Sequence, residues 1–207
     1  MPAWVMDWSE ITPQIVLGNG PVTADDIERI RDEAKVSALF SLQADECLTR
    51  LSINYEAHQR LGQRLGLVLE RCPIRDFDTL DMRRRLPQAV QSLTRLLRRG
   101  HRVYTHCSAG IGRSPLTVLG YLAFVEGYTP DEALAWLRSR RPAINPNLQA
   151  FYGCRQDLTR CYQARIAERA RQSVKPGAPK RADWYRAEKE VIRAVLGGGL
   201  STIGHEG

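Results

Sequence analysis

His106-Cys107-Ser108-Ala109-Gly110-Ile111-Gly112-Arg113-Ser114 places one cysteine and one arginine six positions apart, with mostly small residues between them. The stretch follows a β-like run, Arg102 to Thr105, and opens an apolar helical run from Pro115. Ser108, Ala109, Gly110 and Gly112 add little bulk, and the glycines accept positive φ. Such a loop can curl until successive backbone N–H groups point at one centre, forming a nest for an anion. The helix that follows adds the positive end of its dipole. Arg113 closes the cradle with a planar fork that matches two phosphate oxygens, which an ammonium does not.

The donors that hold a phosphate dianion also hold a thiolate. Cys107 is therefore expected to ionise well below the free-thiol value of about 8.5. A thiolate attacks without a separate base. His106 is read as orienting the loop by hydrogen bonding. Ser114 is read as a hydroxyl donor to Cys107 that helps sulfur leave. A lone cysteine in a strand-to-helix turn is more often an apolar filler, but His-Cys, two glycines and Arg-Ser together are far more restrictive. The implied chemistry is hydrolysis of a phosphate ester through a phosphocysteine, with no metal and no other cofactor. The leaving oxygen then needs a proton. Asp76, Asp78 and Asp81 are the candidates, in or just after Cys72-Pro73-Ile74-Arg75-Asp76-Phe77-Asp78. Asp81 is read as an N-terminal helix residue.

The loop resembles the signature of the cysteine-dependent protein tyrosine phosphatase superfamily, and the short chain points to its dual-specificity branch. The similarity extends over roughly residues 8 to 165. Trp8 to Asn19 (WSEITPQIVLGN) looks like the opening β-hairpin of that branch, and Cys72 to Asp78 looks like its general-acid loop. Within the branch the chain is most similar in motif to the glucan phosphatases, the plant starch phosphatases and laforin. Phe40 to Asp45 (FSLQAD), Arg75 to Pro87 (RDFDTLDMRRRLP) and the Cys107 loop carry that likeness.

The resemblance implies an α/β fold, a central mixed and largely parallel sheet flanked by helices. It implies phosphate binding by Ser108, Ala109, Gly110, Ile111, Gly112 and Arg113. It places the acid at Asp76, 31 residues before Cys107, with Asp78 as the fallback. Phe77, beside the acid, is a candidate substrate platform. The implied substrates are phosphoserine, phosphothreonine or phosphotyrosine in a protein, or a phosphoglucan. A phosphoinositide or an RNA 5′ end is the alternative within enzymes. A phosphate-binding or nucleic-acid-binding module without turnover is the alternative of another class.

The 207 residues suit one domain with a tail. Residues 1–172 are expected to form the phosphatase domain, 173–183 a linker, 184–196 a short helix and 197–207 a disordered tail. A hydrophobic content of 43% fits a globular chain, and no apolar stretch reaches the length of a membrane span. The start, MPAWVMDWSE, lacks a basic segment followed by an apolar one, so no signal peptide is expected. Five cysteines without regular spacing argue for a reducing, cytoplasmic compartment over a disulfide scaffold. Cys47, Cys72, Cys154 and Cys161 lack metal-ligand spacing and are read as structural; Cys72 is also considered as a protective disulfide partner for Cys107. The net charge is +7, and residues 155–193 supply eleven Lys or Arg against five Asp or Glu. This basic tail suits nucleic acid or another anionic partner, but a solvated helix face and linker is the favoured reading. Arg83, Arg84 and Arg85 either favour polyanionic substrates or decorate a helix.

Patterning predicts a helix over Thr23–Glu33 with Thr23 as cap, a buried strand over Val36–Leu42, a helix over Ile53–Leu65 and a strand over Leu67–Pro73. It predicts an amphipathic helix over Pro87–Arg99, a strand over Arg102–His106 and an apolar helix over Pro115–Glu126. Thr129-Pro130-Asp131-Glu132 is a helix start. Trp136 and Leu137 are expected in the core. Asn147 is expected to cap one long helix burying Leu148, Phe151, Leu158 and Ile166, and Trp184, Val191 and Val195 are expected to anchor the last helix.

Overall fold

The structure, a computed structural model, describes residues 4–172 and 178–198. A hairpin of β1 (Trp8–Thr12) and β2 (Ile15–Gly18) opens it. Then come α1 (Ala24–Ala34), β3 (Ala38–Gln43), α2 (Asp45–Arg50), α3 (Tyr55–Arg64), β4 (Val68–Ile74), α4 (Thr79–Arg98) and β5 (Val103–His106). Helix α5 (Arg113–Tyr121) continues into a π-helical turn, Leu122–Glu126, before α6 (Pro130–Arg140), α7 (Leu148–Cys161), α8 (Gln163–Gln172) and α9 (Arg181–Leu196). The sheet order is β1-β2-β5-β3-β4, with every pairing parallel except the first hairpin. This is the expected mixed, largely parallel sheet flanked by helices.

Parallel strands covered on both faces bury side chains in both directions. In β3, Ala38, Phe40 and Leu42 enter the larger core with α4, α5 and α7, while Leu39 enters the smaller core under α1 and α3. β2 divides the same way, with Ile15 and Leu17 on one side and Val16 on the other. The carboxyl ends of β3, β4 and β5 therefore emerge together, where open α/β sheets carry their sites.

Thr23 caps α1, its Oγ1 accepting from the Asp26 amide at 3.2 Å, and Thr129 caps α6 in the same way. Other expectations need correction. Helix α4 begins at Thr79, not Pro87, because the Asp78 carboxylate caps it by accepting from the Asp81 amide at 2.9 Å. Pro87 inside a helix costs about 3 kcal/mol, offset here by burial of Met82 and Leu86 in the added turns. The expected long helix after Asn147 breaks at Tyr162 (φ −105°, ψ 19°) into α7 and α8. Leu137 is buried, but Trp136 lies at the surface with its Nε1 donating to the Ile11 carbonyl and Arg140 over its ring. Helix α9 docks through Ala187, Val191, Ile192, Val195 and Leu196, not through Trp184. Its polar grip is on the end of the π turn: Arg193 donates to the carbonyls of Val125 and Glu126, and Lys189 to that of Gly127. Part of the 173–183 linker and most of the 197–207 tail lie outside the described residues.

Several basic side chains already have partners. Arg83 clamps α4 to α7 through Asp157 at 2.6 Å, and Arg155 and Arg169 pair with Glu188 and Glu190 of α9. That pairing supports the solvated-face reading of the C-terminal charge. Among the described residues no helix is long and apolar enough to cross a membrane, and no group of three or more His, Cys, Asp or Glu is placed to hold a metal ion.

Candidate active site

Strand β5 ends at His106, flanked in the sheet by Gly18 of β2 and Ser41 of β3. The chain then turns through residues 107–112 and enters α5 at Arg113. Cys107 lies at the base of this turn, 2% exposed. Its Sγ accepts from the Gly110 amide and from the Ser114 hydroxyl, each at 3.3 Å. Burial by itself pushes the thiol up. The Ser114 hydroxyl, the Arg113 charge and the Ser114 and Gly110 amides outweigh it, and hold Cys107 below the ordinary thiol value.

Three carbonyls of the loop are held by groups outside it, while the Gly110 amide points to the sulfur. Ser108 O accepts from the Gly20 amide at 3.0 Å, Gly110 O from Arg141 Nε at 3.1 Å, and Ile111 O from the Asn145 amide at 2.8 Å. Arg141 is buried and is itself fixed by Asp7 at 2.8 Å. Gly20 approaches so closely that a Cβ there would lie 2.7 Å from the Cys107 carbonyl. None of Asp7, Gly20, Arg141 and Asn145 stands out in the sequence. They act from three separate segments, and only Arg141, an arginine at a helix end before a proline, carries even a weak local signal.

Gly110 is the tightest point. Its φ is +70°, and a Cβ would meet the Gly18 carbonyl carbon and oxygen at 2.5 Å. Gly110→Ala is expected to cost about 2–4 kcal/mol, combining left-handed strain with overpacking against backbone. Urea unfolding measures this; a loss below about 0.5 kcal/mol would mean that the loop is not held as described.

Arg113 is 1% exposed. Its Nη1 donates to the Ile74 carbonyl at 3.0 Å and the Leu42 carbonyl at 3.5 Å, so the ends of β4 and β3 aim it. Nη1 also lies 3.2 Å from Cys47 Sγ. Its Nη2 donates to Asp76 Oδ2 at 2.8 Å and to Ser108 Oγ at 3.2 Å. Nε is buried without a partner among the described residues. An orphaned buried donor costs about 1–3 kcal/mol, and an anion in the cradle would satisfy it.

His106 is buried against Tyr104, with Nδ1 3.3 Å from the Cys107 carbonyl. Burial lowers its pKa from 6.5 to about 4 despite that bond. The unfolded chain therefore binds a proton on His106 that the folded chain rejects. This group's contribution to stability is whole above pH 6.5 and is lost as the pH falls towards about 4. NMR titration is expected to find a neutral ring through pH 5–7; a midpoint near 6.5 would contradict it.

The acid candidates separate. Asp76 meets Arg113 in the cleft. Asp78 serves as the helix cap, and Asp81 Oδ2 accepts from the Arg75 amide at 2.8 Å. Phe77, between Asp76 and Asp78, has φ +60° and is 90% exposed. A non-glycine residue held there costs of order 1–3 kcal/mol. A cavity of about 600 Å³ opens over the cradle, bordered by Asp76, Phe77, Ala109, Ile111, Arg138 and Leu148. Cys72 lies within β4, its thiol pushed by burial up to about 11, and all five cysteines are free. The cysteine beside Arg113 is Cys47, which sequence spacing does not single out.

Residues 41–153 match the family described as dual specificity phosphatase, catalytic domain. The chain is 31% identical over 155 residues to phosphoglucan phosphatase DSP4, amyloplastic, of Castanea sativa, covering 74% of this chain and 41% of the relative. It is 30% identical over 164 residues to laforin of Mus musculus, covering 74% and 50%. It thus spans about half or less of the length of these relatives. Among solved structures, PTPMT1 in complex with PI(5)P aligns with a TM-score of 0.62 at 23% identity, covering 78% of this chain and 100% of the other. The human tyrosine phosphatase-like serine/threonine/tyrosine-interacting protein aligns at 0.60 and 22%, covering 75% and 97%. Likeness at such identities speaks for the fold alone. The family match runs from β3 through the Asp76 loop and the Cys107 cradle into α7, and the chain belongs to the dual specificity phosphatase family.

Proposed function

We propose that this protein hydrolyses phosphate monoesters through a phosphocysteine, and that its substrate is a phosphoglucan. One observation carries the chemistry: a buried sulfur that receives a main-chain amide and a hydroxyl, beside a guanidinium whose Nε is unfilled. In this reading the phosphate enters the cradle of residues 108–113 and takes over Nη2 and Nε of Arg113. Asp76 is thereby released from its ion pair. Asp76, released as a carboxylate, takes up a proton from solvent beside the phosphate charge; the Cys107 thiolate attacks phosphorus, and Asp76 gives that proton to the leaving oxygen. Asp76, now a carboxylate, takes a proton from the attacking water, and Ser114 donates to sulfur as the phosphocysteine breaks. His106, neutral and buried, positions the turn. A thiolate nucleophile is lost to oxidation, so this reading places the protein in a reducing compartment.

The names of the relatives support the substrate. The chestnut protein and the chloroplastic LSF1 of Arabidopsis thaliana, 33% identical over 145 residues, are both called phosphoglucan phosphatases. A phosphoprotein is the second reading, supported by likeness to dual specificity protein phosphatases of Drosophila melanogaster and Homo sapiens. Phosphate release measured side by side from phosphorylated amylopectin, a phosphopeptide, a phosphoinositide and a triphosphate RNA tests it. Amylopectin is expected to be the best substrate per phosphate, and clear preference for another would replace the reading. Turnover abolished by Cys107→Ser excludes a module that only binds.

A further inference from the structure

A second cavity, of about 590 Å³, lies between α7–α8 and α9, away from the phosphate cradle. Tyr152, Gln156, Thr159 and Arg160 of α7, Gln163 of α8 and Trp184 of α9 line it. Leu148 borders the catalytic cleft at the start of α7. Tyr152, Gln156 and Thr159 follow Leu148 at the three- and four-residue steps that keep side chains on one helix face. At 1.5 Å per residue, Leu148 to Gln156 advances about 12 Å. One helix face therefore leads from the cleft into the second cavity.

The lining has a particular chemistry. Tyr152 and Trp184 are 42% and 40% exposed, so two large rings stay in contact with solvent. The side-chain amides of Gln156 and Gln163 and the indole N–H of Trp184 have no hydrogen-bond partner among the described residues. The charge of Arg155 is matched by Glu188 at 2.8 Å, and Thr159 donates to the same carboxylate at 3.0 Å. Arg160 adds a single exposed cation. Flat apolar faces beside neutral donors and acceptors suit a sugar, whose C–H face packs on a ring while its hydroxyls pair with amides. A phosphorylated peptide segment would instead call for clustered arginines.

We propose that this cavity is a sugar-binding subsite, holding the unphosphorylated continuation of an α-glucan chain whose phosphate sits over Cys107. The proposal rests on the phosphoglucan reading and adds a place for the polymer beyond its phosphate. It explains why an amphipathic helix that docks by its aliphatic side keeps Trp184 at the surface.

The test uses the full chain. Maltoheptaose is titrated calorimetrically into the Cys107→Ser protein, alone and with Trp184→Ala or Tyr152→Ala added. Each added change is expected to weaken binding about tenfold, the size of one lost ring contact. In the protein with Cys107 intact, each is expected to slow phosphate release from amylopectin about tenfold, while para-nitrophenyl phosphate is hydrolysed within twofold of the parent rate. Where thermal melting shows that Trp184→Ala fails to fold, Tyr152→Ala and the exposed Gln156→Ala carry the test. Maltoheptaose binding unchanged by these substitutions overturns the subsite. So does a phosphopeptide that occupies the cavity where maltoheptaose does not. Amylopectin turnover insensitive to Trp184 and Tyr152 removes the subsite and leaves the phosphoglucan reading standing. Maltoheptaose binding that needs Trp184, without amylopectin turnover, keeps the subsite and removes the substrate assignment.

Discussion

Cys107→Ser is expected to lower kcat/KM for an aryl phosphate by at least about 10⁴-fold, or roughly 5 kcal/mol of transition-state stabilisation. The substitution keeps size and shape but replaces a thiol that its site holds below the ordinary thiol value by an alcohol that does not ionise in this range. The variant should fold, and inorganic phosphate should still bind, because the loop amides and Arg113 are untouched. The companion measurement is thiol reactivity against pH. Cys107 is acidified by the Ser114 hydroxyl, the Arg113 charge and two amides acting against burial, so its alkylation by iodoacetamide should persist well below the free-thiol range. The linkage has a definite sign. A depressed native value means that the stabilising contribution is whole above the unfolded thiol value of 9.0 and is lost as the pH falls through the lower native value. Ser114→Ala should move the alkylation profile back towards higher pH. A profile for the parent protein that rises like ordinary cysteine up to pH 9.0 would remove the basis of the mechanism.

Asp76→Ala is expected to slow an alkyl phosphate by about 10²–10⁴-fold, the range supplied by a positioned general acid. A nitrophenyl ester, whose leaving oxygen needs no proton, should slow by less than about tenfold. The ion pair adds a second expectation. Asp76 occupies Arg113 Nη2 at 2.8 Å, where the proposed mechanism needs a substrate oxygen. Removing the carboxylate removes that competitor, so KM for the nitrophenyl ester should fall even as kcat falls. Steady-state kinetics with the two esters separates these effects. Equal slowing of both esters would place the acid elsewhere. Asp78 would then have to leave the cap of α4, with loss of stability of about 1 kcal/mol.

Some of the fold was legible because it is written locally. The Thr23 and Thr129 caps use side chains within three residues of the amides they hold. β3 reads as a doubly buried strand because it is apolar almost throughout. The misreadings share one cause. Pro87 is a strong local break signal, and packing of Met82 and Leu86 overrode it. Hydrophobicity alone assigns Trp136 to the core and Trp184 to the docking face, but each sits where a polar contact or an open cavity, set by other segments, decides its exposure. Asp76 and Asp78 stand two positions apart in one loop, and spacing alone does not say which way each side chain turns. The division came from the direction in which α4 leaves the loop, which turns Asp78 to the helix amides and Asp76 to Arg113.

By itself the amino-acid order determined the nest, since small residues, two glycines and an arginine at a helix start form a short-range pattern, complete within nine positions. Tertiary structure alone decided what makes the nest rigid. Asp7, Gly20, Arg141 and Asn145 hold the loop carbonyls outward, and the carbonyls of Leu42 and Ile74 aim Arg113. Those contacts join segments up to 134 residues apart. No local pattern records them, because a hydrogen bond between distant segments depends on where the sheet brings two backbones together and not on which residues stand beside each other in the chain.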